Sequence, residues 1–310
     1  MGWRPALRDQ RAALPDGFRR GPAARVLGPA DLAAARRVCA ADPVSSVLAA
    51  ARIDVADRSG LAAAGGELWG YPESGPLVAV CWAGANLVPV VPASLGRETV
   101  DEAVAAFAAA ARVRGRRSSS IVGEKGVVQH LWELLSRVWP APREVRTDQP
   151  SLVIDRDPDV EPDPGVRRSR TSEFDLVLPA CVRMFTEEVG YSPVVGGGGA
   201  YAARVRSLIA DGRSYVRVGA DPDVEGPAVL FKAELGAVAG EVAQVQGVWV
   251  DPRRRGEGLS VAGMAAVVAL TRRDVAPTVS LYVNSYNAPA LAAYRRVGFE
   301  PVGTFSTVLF

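Results

Sequence analysis

The sequence predicts an α/β fold, more finely an α+β layering of helices on a sheet, built as two units. Three observations predict it. Strand-like and helix-like segments alternate along both halves of the chain. Residues 155–165 interrupt that alternation with three prolines and five acids in eleven residues, a composition that can neither pack nor continue a ladder. Beyond it, an apolar strand ends at Pro252 and passes through a glycine-containing turn into a long apolar helix.

Size agrees with two units. The 310 residues are 48% hydrophobic, enough for two ordinary domains with a core each. Lys+Arg 36 against Asp+Glu 34 leave a formal charge of +2, which speaks against a nucleic-acid or membrane-surface protein. Only Lys125 and Lys232 are lysines; with the alanine richness, that reads as the base composition of a G+C-rich bacterial genome. Cys39, Cys81 and Cys181 show no paired or metal-ligand spacing and fit a reducing compartment. His130 is the single histidine, so a Cys/His zinc cluster is excluded and a Ser-His-Asp triad would need His130, which falls in an apolar helical pattern. No stretch approaches the ~20 apolar residues of a membrane span, and residues 1–24 lack the apolar core of a signal peptide. The expectation is a cytoplasmic protein with a disordered tail over residues 1–25.

The elements follow in order. In the first unit, residues 26–154, Asp31 can cap a helix to about residue 41, and a short helix fits residues 44–51. Residues 77–82 and 86–91 read as strands joined by a small-residue turn, and 97–113 as an alanine-rich helix. Residues 118–122 read as a strand, 123–126 as a glycine turn, 127–139 as a helix and 151–154 as a strand. In the second unit, residues 166–310, helices are expected over 174–189 and 200–210, with a flexible loop at 196–199. Strands 214–219, 228–234 and 241–250 should form an antiparallel meander. Helix 258–272, strand 279–283, helix 288–297 and strand 302–309 complete the chain.

The chemistry lies at residues 248–260, Val-Trp-Val-Asp-Pro-Arg-Arg-Arg-Gly-Glu-Gly-Leu-Ser. Glycines turn the backbone sharply and present successive N–H groups outward. The helix start adds partial positive charge, giving an anion site sized for a phosphate or pyrophosphate. The dinucleotide fingerprint fails because Val261 stands where its third glycine belongs, and the P-loop fails for want of its lysine. An ordinary strand-to-helix turn with solvated arginines is the structural alternative.

The remaining pattern, Arg255-x-x-Gly258-x-Ser260, resembles the acyl-CoA pyrophosphate loop of the GNAT family of N-acetyltransferases, with Ser260 in place of the small final residue. A second segment is similar to that family's other signature: a strand, Asn287, a short helix reaching Tyr294, then Gly298-Phe299. Asn287 can cap that helix, Pro289 suits its first turn and Gly298 its end. The resemblance covers roughly residues 167–310. The whole chain is similar to a bacterial group of GNAT proteins with an extra N-terminal domain of unassigned function, and tandem members are a more distant comparison.

The resemblance implies acetyl transfer from acetyl-CoA to a primary amine by direct attack through a tetrahedral state, without metal. Acetyl-CoA would bind residues 248–250 and the loop Arg255, Gly256, Glu257, Gly258, Leu259 and Ser260. Val248 and Val250 would pair with the pantetheine arm like an extra strand, beside Trp249. The Val248 N–H would face the thioester oxygen. Asn287 would contact the pantetheine, and Tyr294 would protonate the leaving thiolate. A lysine-like amine holds its proton up to pH about 10, so a base is expected. Where one branch of the family places a glutamate, this chain has Gln244, which cannot accept the proton. Glu234 is the first choice in its stead, then Glu241, with Glu187 and Glu188 near the expected acceptor side. The first unit lacks the phosphate loop but faintly echoes the same layout, so a degenerate second GNAT-like unit is one reading and a structural or acceptor-binding role follows. The alternatives are a non-catalytic acyl-CoA-binding or sensing protein, or an interaction scaffold. Acceptor and oligomeric state are not legible.

Overall fold

The computed structural model describes residues 21–195, 197–221 and 224–310. The expected tail therefore falls almost wholly outside the described residues, as does Gly196 of the expected glycine loop.

The first half runs β1 (Arg25–Val26), α1 (Leu32–Ala40), α2 (Pro43–Ser59), α3 (Leu61–Ala64), β2 (Glu67–Tyr71), β3 (Ala79–Ala83), β4 (Asn86–Val90), α4 (Arg97–Arg114), β5 (Ser120–Glu124), α5 (Lys125–Leu135) and β6 (Glu144–Ile154). The second runs β7 (Val166–Arg168), α6 (Phe174–Val189), α7 (Gly199–Ala210), β8 (Ser214–Asp221), β9 (Val224–Ala239), β10 (Val242–Val250), α8 (Leu259–Asp274), β11 (Thr278–Tyr282), α9 (Ala288–Val297) and β12 (Glu300–Leu309). The halves repeat one order: a strand, helices, a three-stranded meander, then helix, strand, helix, strand. The echo expected in the first half is thus an architectural repeat. His130 lies on α5 with its Nδ1 3.5 Å from Asp101 of α4, a helix-surface pairing.

Both halves share a 12-stranded sheet, ordered β1-β2-β3-β4-β5-β12-β6-β11-β10-β9-β8-β7. The last strand of each half has crossed into the other. β12 pairs antiparallel with β5, β6 pairs antiparallel with β11, and β6 and β12 pair with each other. Residues 155–165 are irregular, as their composition requires, but they connect two interleaved ladders rather than two separate sheets.

Each half contains one parallel strand pair that soon parts. β4 and β5 pair only at Asn86–Ser120 and Leu87–Ile121. Beyond that, Phe305 of β12 belongs to the same buried cluster as Val88, Val90 and Val122, with Tyr282 stacked on its ring at 4.9 Å. β10 and β11 pair only over residues 242–244 and 278–280, and there the gap stays open.

Two elements exceed their sequence expectation for identifiable reasons. α2 continues past residue 51 to Ser59 because no breaker intervenes before Gly60. Its apolar residues face two ways: Ile53 and Ala56 join the first half's core, while Val47 packs on Ala237, Ala239 and Val242 of the second. With two faces covered, the single apolar stripe that marks an amphipathic helix is absent. β6 is longer than residues 151–154 because it is flanked on both sides, by β11 and by β12. No helix among the described residues is long and apolar enough to cross a membrane.

Candidate active site

The parting of β10 from β11 leaves a cleft of about 580 Å³. Residues 245–250 form one wall, and Leu281, Tyr282 and Val283 the other. Met184, Glu187 and Glu188 of α6 and Ala293 and Tyr294 of α9 close its sides, and the loop 254–260 bounds one end. Gln149 of β6, a strand of the first half, also lines it.

At the loop end, buried Asp251 starts the turn. Its carboxylate accepts from the Arg253 N–H at 3.0 Å and from the Arg253 guanidinium at 2.8 Å, and those hydrogen bonds hold its pKa below the usual carboxylate value. Gly256 and Gly258 adopt φ +88 and +79, and a Cβ on either would meet nothing within 4 Å. That left-handed backbone is costly for other residues. Gly258 caps α8 without a side chain to occupy the helix N-terminus. Among the described residues, the N–H groups of Gly256, Glu257, Gly258, Leu259 and Ser260 have no hydrogen-bond partner. They form an open donor set where the helix dipole favours an anion. Arg255 adds a guanidinium, here 2.6 Å from Glu187, whose other oxygen accepts from Trp249 Nε1 at 3.3 Å. Glu257 points away into an ion pair with Arg254 at 2.7 Å.

Tyr294 of α9 is only 7% exposed yet lines the cleft, edge-on to Phe299 at 5.9 Å. Burial drives its pKa well above the ordinary tyrosine value, and the negative charge of Glu188 adds to the rise. The phenol therefore keeps its proton at neutral pH. Tyr282 is likewise pushed up to about 12 by burial. Asn287 does cap α9, its Oδ1 accepting from the Ala290 N–H at 3.2 Å, which leaves its amide donors at the cleft. Gly298 ends that helix at φ +108.

The structure brings together Val248, Trp249, Val250, Arg255, Gly256, Gly258, Leu259, Ser260, Asn287 and Tyr294 around this one cleft. It does not bring in the two acids preferred as base, and both expectations are corrected. Glu241 sits exposed at the β9–β10 turn, seven residues back along the strand from Val248, about 23 Å at ~3.3 Å per residue. Glu234 is buried behind the wall, its Oε1 2.7 Å from Lys232 Nζ and accepting from Cys181 Sγ at 3.3 Å. Burial opposes both charges of that pair. Their mutual attraction prevails, holding Lys232 above and Glu234 below their ordinary values. A carboxylate so held is a poor proton acceptor. Gln244 is buried, its Oε1 accepting from Gln246 Nε2 at 3.2 Å.

Residues missed by sequence reading include Lys232, Gly247, Gln149 and Met184. One signal for Lys232 was available: it is one of two lysines in an arginine-rich chain, and it follows the apolar run at residues 228–231 within a strand.

The cleft's strand, loop and helix lie within residues 196–299, which match the acetyltransferase (GNAT) family. Those residues, about a third of the chain, are what is similar to a GNAT-family acetyltransferase domain. Residues 66–177 match a domain of unknown function, DUF4081. Over 130 residues the chain is 31% identical to the streptothricin acetyltransferase of Streptomyces lavendulae, covering 42% of this chain and 62% of that protein. Over 63 residues it is 44% identical to the mycothiol acetyltransferase of Saccharomonospora viridis, covering 20% of this chain and 21% of that one. The chain thus spans less than two thirds of either relative. Among solved structures, a tandem GNAT protein from the clavulanic acid biosynthesis pathway shares the fold over 92% of this chain and 98% of its own, with TM-score 0.53 at 14% identity. That likeness extends the GNAT fold across both halves.

Proposed function

We propose that the protein transfers acetyl from acetyl-CoA to a primary amine in the β10–β11 cleft. The observation that carries this is one cavity lined by free loop N–H groups, an unpaired strand edge and the buried, protonated Tyr294 hydroxyl. The residues fit the group. Gly256 to Ser260, with Arg255, would hold the pyrophosphate. Residues 245–250, whose β11 side is unpaired, would hydrogen-bond the pantetheine amides as a neighbouring strand would.

Acetyl-CoA supplies an acyl group activated as a thioester. The Val248 N–H stabilises negative charge on the acyl oxygen. Tyr294 gives its proton to the departing sulfur. Glu188 accepts the amine's proton, directly or through water. Of the four acids weighed, two line the cleft, and Glu188 is the more loosely held: its carboxylate stands 3.5 Å from the Arg146 guanidinium, whereas that of Glu187 is 2.6 Å from Arg255; Glu234 is held by Lys232, and Glu241 lies at the far turn. Glu188 and Tyr294 both line the cleft, which supports an acid and a base acting in one cavity. None of Cys39, Cys81 and Cys181 lines the cleft, which supports direct transfer without an acyl-cysteine. A role limited to acyl-CoA binding would leave the Tyr294 hydroxyl without a function.

Release of free CoA thiol in the presence of candidate amines tests the reading, and the similarity to streptothricin acetyltransferase makes streptothricin the first acceptor to try. Tyr294→Phe should bind CoA like the native protein while turnover falls by about 10²-fold or more. Undiminished turnover would remove Tyr294 from the mechanism.

A further inference from the structure

Strand β10 carries an extra residue against β9. Pairing passes from Gln246–Glu234 to Trp249–Lys232, so Gly247 and Val248 together oppose Ala233 alone. This is a bulge, which unpairs and re-aims the backbone. Gly247 holds φ +58 there, and a Cβ on it would lie 3.0 Å from Met184 Cε, 3.2 Å from Lys232 Nζ and 3.3 Å from Glu234 Oε2. The position therefore needs glycine both for its conformation and for the space Lys232 fills.

Lys232 is fully buried, and its Nζ donates to the Gly247 carbonyl at 2.9 Å while pairing with Glu234. The 247–248 peptide is planar and trans, so its N–H points opposite to its C=O. An ammonium that draws the Gly247 oxygen to the buried side turns the Val248 N–H toward the side where β10 has left β11, the cleft that Gly247 and Val248 both line.

We infer, resting on the acetyl-CoA reading of the cleft, that Lys232 is a positioning residue: by holding the Gly247 carbonyl it keeps the Val248 N–H aimed at the acyl oxygen. Glu234 keeps Lys232 charged in that buried place, and Cys181 completes the set by donating to Glu234. A buried ion pair is weak evidence for stability by itself. What singles this pair out is that its third contact is a backbone carbonyl at a bulge in the cleft wall. Without the ammonium, glycine at 247 leaves the peptide free to rotate, which would present an acceptor oxygen where a donor is needed.

The test uses the full chain with CoA and with acetyl-CoA carrying ¹³C at the acetyl carbonyl. In the native protein the bound thioester carbonyl should absorb at lower infrared frequency than in water. The Val248 amide signal in ¹⁵N NMR should move more with acetyl-CoA than with CoA. Lys232→Met should keep CoA affinity within about twofold, lose both effects and transfer acetyl about 10²–10³-fold more slowly, the size of losing one oxyanion donor. If Lys232→Met fails to fold, the double variant Lys232→Met/Glu234→Leu removes both charges for apolar groups, an exchange buried pairs often tolerate. A folded variant that keeps the carbonyl downshift overturns the inference alone. A native Val248 signal that answers CoA and acetyl-CoA alike does the same without any variant. Native protein that binds neither ligand overturns this inference and the proposed function together.

Discussion

Gly258→Asp places a negative charge where the loop is proposed to hold the pyrophosphate. A Cβ at Gly258 meets nothing within 4 Å and the residue lines the cleft, so the carboxylate enters open space without a clash. The backbone cost is modest: φ +79 suits glycine, and a non-glycine residue there loses about 1–2 kcal/mol. Against that, an acidic residue at a helix start gains about 0.3–1 kcal/mol from the dipole. Folding stability should therefore change by about 1 kcal/mol. Binding changes more. At roughly 5 Å, like unit charges repel by about 0.8 kcal/mol at water's dielectric constant and about 3 kcal/mol at the effective value near 20 that suits a protein surface. Two phosphate charges double this, to about 1.7–6.6 kcal/mol, and each ~1.4 kcal/mol is tenfold in affinity. Calorimetric titration with CoA should thus show affinity lowered at least about tenfold, and by more at low salt, because exposed charges are screened beyond ~8 Å at physiological ionic strength. Gly258→Ala changes the backbone but not the charge, and should stay within about threefold of native. A folded Gly258→Asp protein that binds CoA like the native, or a Gly258→Ala protein that loses as much, would refute a phosphate seat at this helix start.

Three further outcomes follow from the same geometry. Glu188→Gln should slow acetyl transfer about 10²-fold at neutral pH, and the deficit should shrink as pH rises toward the amine's own pKa near 10, where solution supplies the free amine; a pH–rate profile superposing on the native one would reject Glu188 as base. Glu173 accepts two hydrogen bonds from Arg167, at 2.6 and 2.8 Å, and these hold its carboxyl down at about 2. A folded-state value below the unfolded ~4.3 gives stability that is present above that pH and lost as pH falls toward 2. The melting temperature of Glu173→Gln should therefore lie below native at neutral pH and converge on it across that acid window, and parallel curves would contradict the assignment. Residues 155–310 expressed alone should lack a cooperative melt, because β11 and β12 lose β6, the partner they share; a monomeric fragment that melts cooperatively and binds CoA would show that β12 can close directly onto β11.

What the sequence by itself determined is whatever depends on near neighbours. The glycine turn, the start of α8, the Asn287 cap and the Gly298 end are local matters of φ, side-chain reach and helix dipole, and residues 174–189 and 288–297 appear as the helices expected. The family pattern spanning Arg255 to Phe299 is short enough in sequence to be legible too. Only tertiary structure decided the rest. The exchange of β6 and β12 is invisible in the chain because either strand's pattern suits any neighbour with a matching face; which ladder it joins depends on strands more than a hundred residues away. The proposal of Glu188 rather than Glu234 as base rests on the same kind of information. Glu234 and Glu188 are equally acidic as letters, but one is enclosed with an ammonium from its own strand and the other opens on the cleft. A carboxylate's chemistry is set by what surrounds it, and burial and charge partners are assembled only when the chain folds.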